Sequence, residues 1–300
     1  MDRRAFLHAG LAASALAAGA RAAAGPSAPA AQDGPSPAPG APPVPAARAG
    51  RLKQSVCRWC YGGVPLADLC AHARALGIQS VELLGPEEWA VPRAHGLVCA
   101  VANGPGGIAD GWNRPANHDA FLATCQRLLP LAAAAGIPNM IVFSGNRAGM
   151  SDAEGLRNCA RGLERLMPLA EQSNVTIVME LLNSKVDHHD YMCDRTAWGV
   201  ELCKAVRSER FKLLYDIYHM QIMEGDVIRT IREHAPHIAH YHTAGNPGRG
   251  NLDHTQELDY RGICRAIVET GFSGFLAQEF IPRGDPVAAL RSAVEICDVA

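Results

Sequence analysis

The chain has 300 residues, 48% hydrophobic and 19% charged, with a formal net charge of -2. That is the make-up of a soluble globular protein with one large domain or two small ones. The balanced charge leaves no basic footprint for nucleic acid, which is set aside as a partner.

Asp2-Arg3-Arg4-Ala5-Phe6-Leu7 precedes a run of Ala, Leu and Gly reaching about Ala20. Ala20-Arg21-Ala22 or Ala22-Ala23-Ala24 then offers small residues for cleavage. Paired arginines ahead of Phe-Leu and a mildly apolar stretch resemble a twin-arginine export signal over residues 1–24, which implies a periplasmic protein. The stretch is short and weakly apolar for a membrane-spanning helix, which needs about 20 apolar residues. No stable membrane anchor is expected after cleavage. Residues 25–50 are Pro, Ala, Gly and Ser with scarcely a large apolar side chain, and read as a disordered linker. The folded domain is expected at 51–300, about 250 residues, the typical size of a (β/α)8 barrel.

From Arg51 onward strand-like and helix-like segments alternate. The first strand is expected at 52–59, and the spacing of Leu66, Leu69, Ala73 and Leu76 predicts a helix over 65–76 that stops at Gly77. Further strands fall at 78–84, 97–102, 139–144, 175–181, 211–216, 237–242 and 275–279. Helices fall at 117–135, 151–173, 196–206, 226–234, 255–270 and 286–297, the second of these opened by a Ser-Asp-Ala-Glu capping box. The loop NGPGGIADGWN at 103–113 lacks the G-x-G-x-x-G order of a dinucleotide-binding turn. It reads as a mobile substrate cover with Trp112 as its lid. Eight strand–helix units without a long antiparallel meander predict an α/β protein, a (β/α)8 TIM barrel.

Of ten cysteines, Cys99, Cys125, Cys159, Cys203 and Cys264 sit in apolar or helical patterns and read as small core residues. Cys57 and Cys60 form a C-x-x-C at the end of the first strand, with no second pair at zinc-ribbon spacing.

The stretch FKLLYDIYHMQIME, 211–224, organises the rest. It is an apolar strand followed at once by Asp216, His219 and Gln221. Alone, Asp216 reads as a helix cap and His219 as a satisfied core histidine. However, the fifth to eighth strands end in Glu180, Asp216, His242 and Glu279, and in a parallel barrel the carboxyl ends of neighbouring strands lie side by side. Crowded carboxylates repel unless a cation sits among them. Three carboxylates and an imidazole suit one divalent ion of the magnesium, manganese or cobalt kind. Glu82 interrupts the apolar second strand and either points into the site, where it would bind a substrate hydroxyl, or is exposed. His188 and His189, adjacent in a polar loop, read as solvated; Lys185 and Glu257 stand outside the site.

ELLN at 180–183, DHHDYMCD at 187–194, YDIYHMQIMEGD at 215–226, HYHTAGNPGRG at 240–250 and QEFIP at 278–282 together resemble the hydroxypyruvate isomerase family of the xylose isomerase-like barrels. The resemblance covers most of 52–296. It implies a metal held by Glu180, Asp216, His242 and Glu279, with Glu180 and Glu279 doubling as acid and base. It also implies that His219 and Arg249 hold substrate oxygens or a carboxylate; spacing alone would equally make Arg249 a surface residue in a turn. The implied reaction is a metal-dependent aldose–ketose isomerisation of a small hydroxycarbonyl compound through an enediolate, with hydroxypyruvate going to 2-hydroxy-3-oxopropanoate. Hydroxypyruvate isomerases often carry glutamine where His242 stands, and histidine is usual in the ketose epimerase branch, so a ketose 3-epimerase is the alternative. An exported sugar-binding barrel without turnover ranks low because both glutamates are present. An endonuclease-IV-like hydrolase would need more histidines and acids and a basic surface. The expected partner is a small hydroxycarbonyl or sugar substrate, and a homo-oligomer is compatible with the sequence.

Overall fold

The computed structural model describes residues 49–299; the leader and the linker up to residue 48 lie outside the described residues. Among the described residues there are eight strands: β1 (Lys53–Cys57), β2 (Ser80–Glu82), β3 (Val101–Asn103), β4 (Asn139–Val142), β5 (Thr176–Glu180), β6 (Phe211–Asp216), β7 (Ile238–Thr243) and β8 (Phe275–Gln278). They form one parallel sheet in the order β2-β1-β8-β7-β6-β5-β4-β3. The ring closes between β2 and β3 through isolated parallel bridges, Ser80 to Val98 and Leu84 to Ala102. Closure leaves no strand edge open. The third strand starts later than the expected 97–102 because Val98 meets β2 only through such a bridge.

The helices are α1 (Leu66–Ala75), α2 (Ala90–Ala94), α3 (His118–Ala134), α4 (Asp152–Ser173), α5 (Thr196–Val206), α6 (Ile217–Met223), α7 (Val227–His234), α8 (Tyr260–Glu269) and α9 (Pro286–Cys297). None of the described helices is long and apolar enough to cross a membrane. The serine half of the expected capping box forms, with Ser151 Oγ accepting from Glu154 N at 3.3 Å. The helix expected from 255 begins only at Tyr260. Asp253 Oδ1 takes the Thr255 amide at 2.9 Å and the Gln256 side chain takes the Leu258 amide at 2.6 Å, so local side-chain bonds displace helical ones. The short helices α2 and α6 are additions to the expected set.

Alternation along the strands sorts the core into two layers. Ile177 and Met179 of β5, and Phe211, Leu213 and Tyr215 of β6, pack in the large outer core with the helices. Val178 and Leu214 join Ala100, Val101 and Ile141 in the barrel interior. Glu180 and Asp216 share the inward parity of Val178 and Leu214. In β7 the register advances by one residue on β6 and two on β7 between Ile238 and His240, so Ala239 is an extra residue. This bulge lets Ile238 pack outward while His240 and His242 face inward, a re-aiming that bulges commonly perform beside active sites.

The reading of Trp112 as a lid is overturned. Its side chain is fully buried, stacked on His118 with ring centroids 5.8 Å apart and tilted against Phe121 at 5.4 Å. Its amide bonds the Phe143 carbonyl at 3.0 Å, which pins the loop onto the end of β4. A side chain at Gly104 or Gly111 would collide with the backbone at Ile141 or at 143–145, so these glycines serve close passage of two backbones. All ten cysteines are free, and the five assigned to the core are buried there.

Candidate active site

Glu180 ends β5, Asp216 ends β6, His242 lies near the end of β7, and Glu279 directly follows β8. All four are buried, and one ligand atom from each lies within 4.8 Å of those of the others. His242 Nδ1 is 2.7 Å from Glu279 Oε2 and 3.3 Å from Glu180 Oε1. The four strand ends therefore meet as the strand order requires.

Asp216 does two jobs. Its Oδ1 accepts from the His219 amide at 3.1 Å and caps α6, while its Oδ2 meets Arg249 Nη2 at 2.8 Å. Asp216 thus caps α6 and also sits in the carboxylate cluster. Arg249 also pairs with Glu279 and donates from Nη1 to His219 Nε2 at 2.7 Å. The guanidinium is flanked by the rings of Trp59 at 5.6 Å and Tyr218 at 5.1 Å. On its far side the His219 ring meets the Asn183 amide at 2.6 Å.

Electrostatics separate these groups. Burial pushes the Glu180 carboxyl up to about 7, with Glu279 adding to the effect and His242 opposing it. Burial also raises Glu279, but Arg249 and His242 outweigh it and hold that carboxyl well below the usual range. Burial brings His219 down to about 3, so its imidazole is neutral.

Glu82 is fully buried and does not line the cavity, so neither exposure nor a place against substrate describes it. Its Oε1 accepts from His240 Nε2 at 2.8 Å and His242 Nε2 at 3.0 Å. Burial raises its carboxyl, but the two histidines outweigh this and keep it ionised. An ionised carboxylate only accepts, so His242 must donate from Nε2 and present Nδ1 to Glu180 and Glu279. That Nδ1 makes no hydrogen bond despite its close carboxylate neighbours. An orphaned ring nitrogen facing two carboxylates, with a third alongside, is the donor set a hard or borderline divalent ion takes. The residues fit the metal that the fold family implies.

A cavity of about 620 Å³ opens above this cluster, and Glu180, Glu279, Arg249 and His219 all line it. Sequence reasoning missed Trp59, Asp187, His188 and Tyr218, which line it too. Trp59 Nε1 donates to Glu279 Oε1 at 2.7 Å, and Asp187 Oδ2 accepts from Tyr218 at 2.9 Å. His188 is not merely solvated: its ring centroid is 5.2 Å from that of His219. Lys185 and Glu257 do not line the cavity: Lys185 Nζ bonds the Ile222 and Met223 carbonyls, and Glu257 bonds Gln221 and Asn246.

A family model described as "Xylose isomerase-like TIM barrel" matches residues 70–298. The 2-oxo-tetronate isomerase of Cupriavidus necator is 32% identical over 237 residues, 74% of this chain and 90% of that protein. The hydroxypyruvate isomerase of Escherichia coli is 32% identical over a shorter stretch, 37% of this chain and 44% of that protein. Among solved structures, one titled AP endonuclease, family 2, from Brucella melitensis superposes with a TM-score of 0.73 at 22% identity, covering 80% of this chain and 97% of that one. That likeness carries the fold alone. By the matched family model and the relative aligned over most of its length, the chain is an isomerase belonging to the xylose isomerase-like TIM barrel family.

Proposed function

We propose that the chain is a metal-dependent isomerase that moves a carbonyl between adjacent carbons of a small hydroxycarbonyl acid. Hydroxypyruvate and its longer analogue 2-oxo-tetronate are the first candidates, in keeping with the names of the relatives above. The observation that carries the reading is the meeting of Glu180, Asp216, His242 and Glu279 at one rim of the barrel, within 4.8 Å of one another and open to a cavity. The leader's Arg3-Arg4 pair supports the periplasm as the place of reaction.

Those four residues would hold one divalent ion of the magnesium, manganese or cobalt kind, which when bound supplies positive charge for the oxygens of an enediolate. The chain's own groups do the rest. Glu180 and Glu279 reach the cavity from either side of His242, so one can take the proton from the hydroxyl-bearing carbon and the other return a proton to the former carbonyl carbon. The hydroxyl proton passes between the two oxygens, which completes the isomerisation without any external oxidant. Arg249, held between Trp59 and Tyr218, offers a fork for the substrate carboxylate, and neutral His219 offers a hydrogen bond to a substrate oxygen.

The test is metal analysis of the purified protein followed by NMR of hydroxypyruvate and 2-oxo-tetronate in deuterated water. Hydrogen exchange at the hydroxyl-bearing carbon, lost on chelation and restored by one of the three ions, is expected. A protein that exchanges equally well after exhaustive chelation would sink metal dependence. A C3 epimer of a ketose as sole product would move the assignment to the epimerase alternative.

Glu82 gives a separate check. Glu82→Gln replaces the charged oxygen that both imidazoles share with a neutral amide oxygen, so the charge-assisted bond that holds His242 through Nε2 weakens. Manganese affinity, measured by calorimetry, is expected to fall about 10- to 100-fold, as it does on loss of an outer partner of a metal-bound histidine. Affinity unchanged from the parent would show that Glu82 does not position His242.

A further inference from the structure

We propose that the substrate of this site carries an apolar substituent, an aryl or branched alkyl group, beyond its hydroxycarbonyl end. The inference rests on the isomerase reading and adds a substrate class to it. The cavity, about 620 Å³, lies in the range that encloses drug-sized ligands, and a three-carbon acid fills a minor part of it.

Its lining is divided by strand. Glu180, Glu279, Arg249 and His219 come from the β5–β8 side. The β2–β4 side contributes Leu83, Ile108, Ile141 and Phe143, and Leu182 after β5 extends this wall. Among the described residues the one polar side chain lining that wall is Asn103, whose amide already donates to the Leu83 carbonyl at 3.2 Å. At the mouth Trp59 and Ile281, 48% and 51% exposed, carry the apolar surface out to solvent.

A polyhydroxylated tail laid on this wall would give up its water and find only Asn103 among the wall's side chains to replace it. An apolar tail gains by leaving water and covers side chains that otherwise face it. With the reacting end held by Glu180, Glu279 and Arg249, the tail points toward Ile108 and Phe143.

The test uses the full metal-bearing protein. Exchange of the C3 hydrogen into deuterated water is compared by NMR for 2-oxo-tetronate and 3-hydroxy-2-oxo-4-phenylbutanoate. The phenyl compound is expected to show a kcat/KM at least about tenfold higher, the scale set by burying a phenyl-sized group. In Ile108→Asn the ratio between the two compounds is expected to fall toward one. Exchange of 2-oxo-tetronate with an equal or poorer response to the phenyl compound overturns the inference while leaving the isomerase reading intact. Calorimetry with 2-hydroxy-4-phenylbutanoate against 2-hydroxybutanoate separates the opposite failure. Tighter binding of the phenyl acid, with exchange from neither oxo acid, overturns the reaction and supports the apolar subsite.

Discussion

Glu279→Gln is expected to slow exchange of the substrate's carbon-bound hydrogen by about 100- to 10,000-fold, the range for loss of a positioned acid or base. The amide keeps the shape of the carboxylate and can still accept from Trp59 Nε1, which donates to Oε1 at 2.7 Å in the parent. Arg249 retains Asp216 at 2.8 Å, so the guanidinium is not left without a counter-charge. The fold should therefore survive, as circular dichroism and thermal unfolding would report. Metal content assayed on the same sample separates a lost proton carrier from a lost ligand: normal metal with no exchange assigns the proton role. Exchange at the parent rate would remove Glu279 from the chemistry.

Asp216→Asn is expected to lower manganese affinity by more than about 100-fold, beyond what loss of an outer partner produces. The reason is charge, since calcium- and magnesium-type sites are tuned by the number of charged ligands. The cap should survive, because the amide carbonyl of the variant can replace the Oδ1 that accepts from the His219 amide at 3.1 Å, while its amide nitrogen then faces Arg249, which keeps Glu279 as its remaining counter-charge. Asp216→Ala removes the cap as well, and urea unfolding should show about 1 kcal/mol less stability than in Asp216→Asn. If the two variants unfold alike, the cap contributes nothing. If the Asp216→Asn variant binds manganese like the parent, Asp216 is not a ligand.

Much of the site was legible because its signals are local. Apolar runs of strand length ending in Glu180, Asp216, His242 and Glu279 can be read residue by residue, and parallel order brings such ends together without knowledge of any loop. The structure adds what local pattern does not encode. Glu82 could be seen to interrupt its strand, but its partners lie 158 and 160 residues away on another strand, and only the folded barrel reveals them. Trp112 sits in a glycine-rich segment whose composition reads as mobile, while long-range packing on His118 and Phe121 makes it core. The segment that ends at Trp59 reads as strand to its last residue, but the chain turns there into a short 3-10 helix, Arg58–Tyr61, that carries the indole to Glu279. Asp187, His188 and Tyr218 reach the cavity from outside the strands, from a loop and the first turn of a helix, where periodicity carries no directional information.

The join between β2 and β3 is closed by backbone bonds that include Val81 N to Val98 O at 3.1 Å and Leu83 N to Val101 O at 2.9 Å. Glu82, at the tip of β2, spans the barrel interior to His240 and His242 on β7, three places away in the strand order. β2 is thus tied across the interior to the histidine that faces the carboxylate cluster. With the proposed ion held at His242, deuterium uptake by the Val81 and Leu83 amides is expected to slow, and equal uptake with and without added manganese would rule out any coupling between the ion and that join.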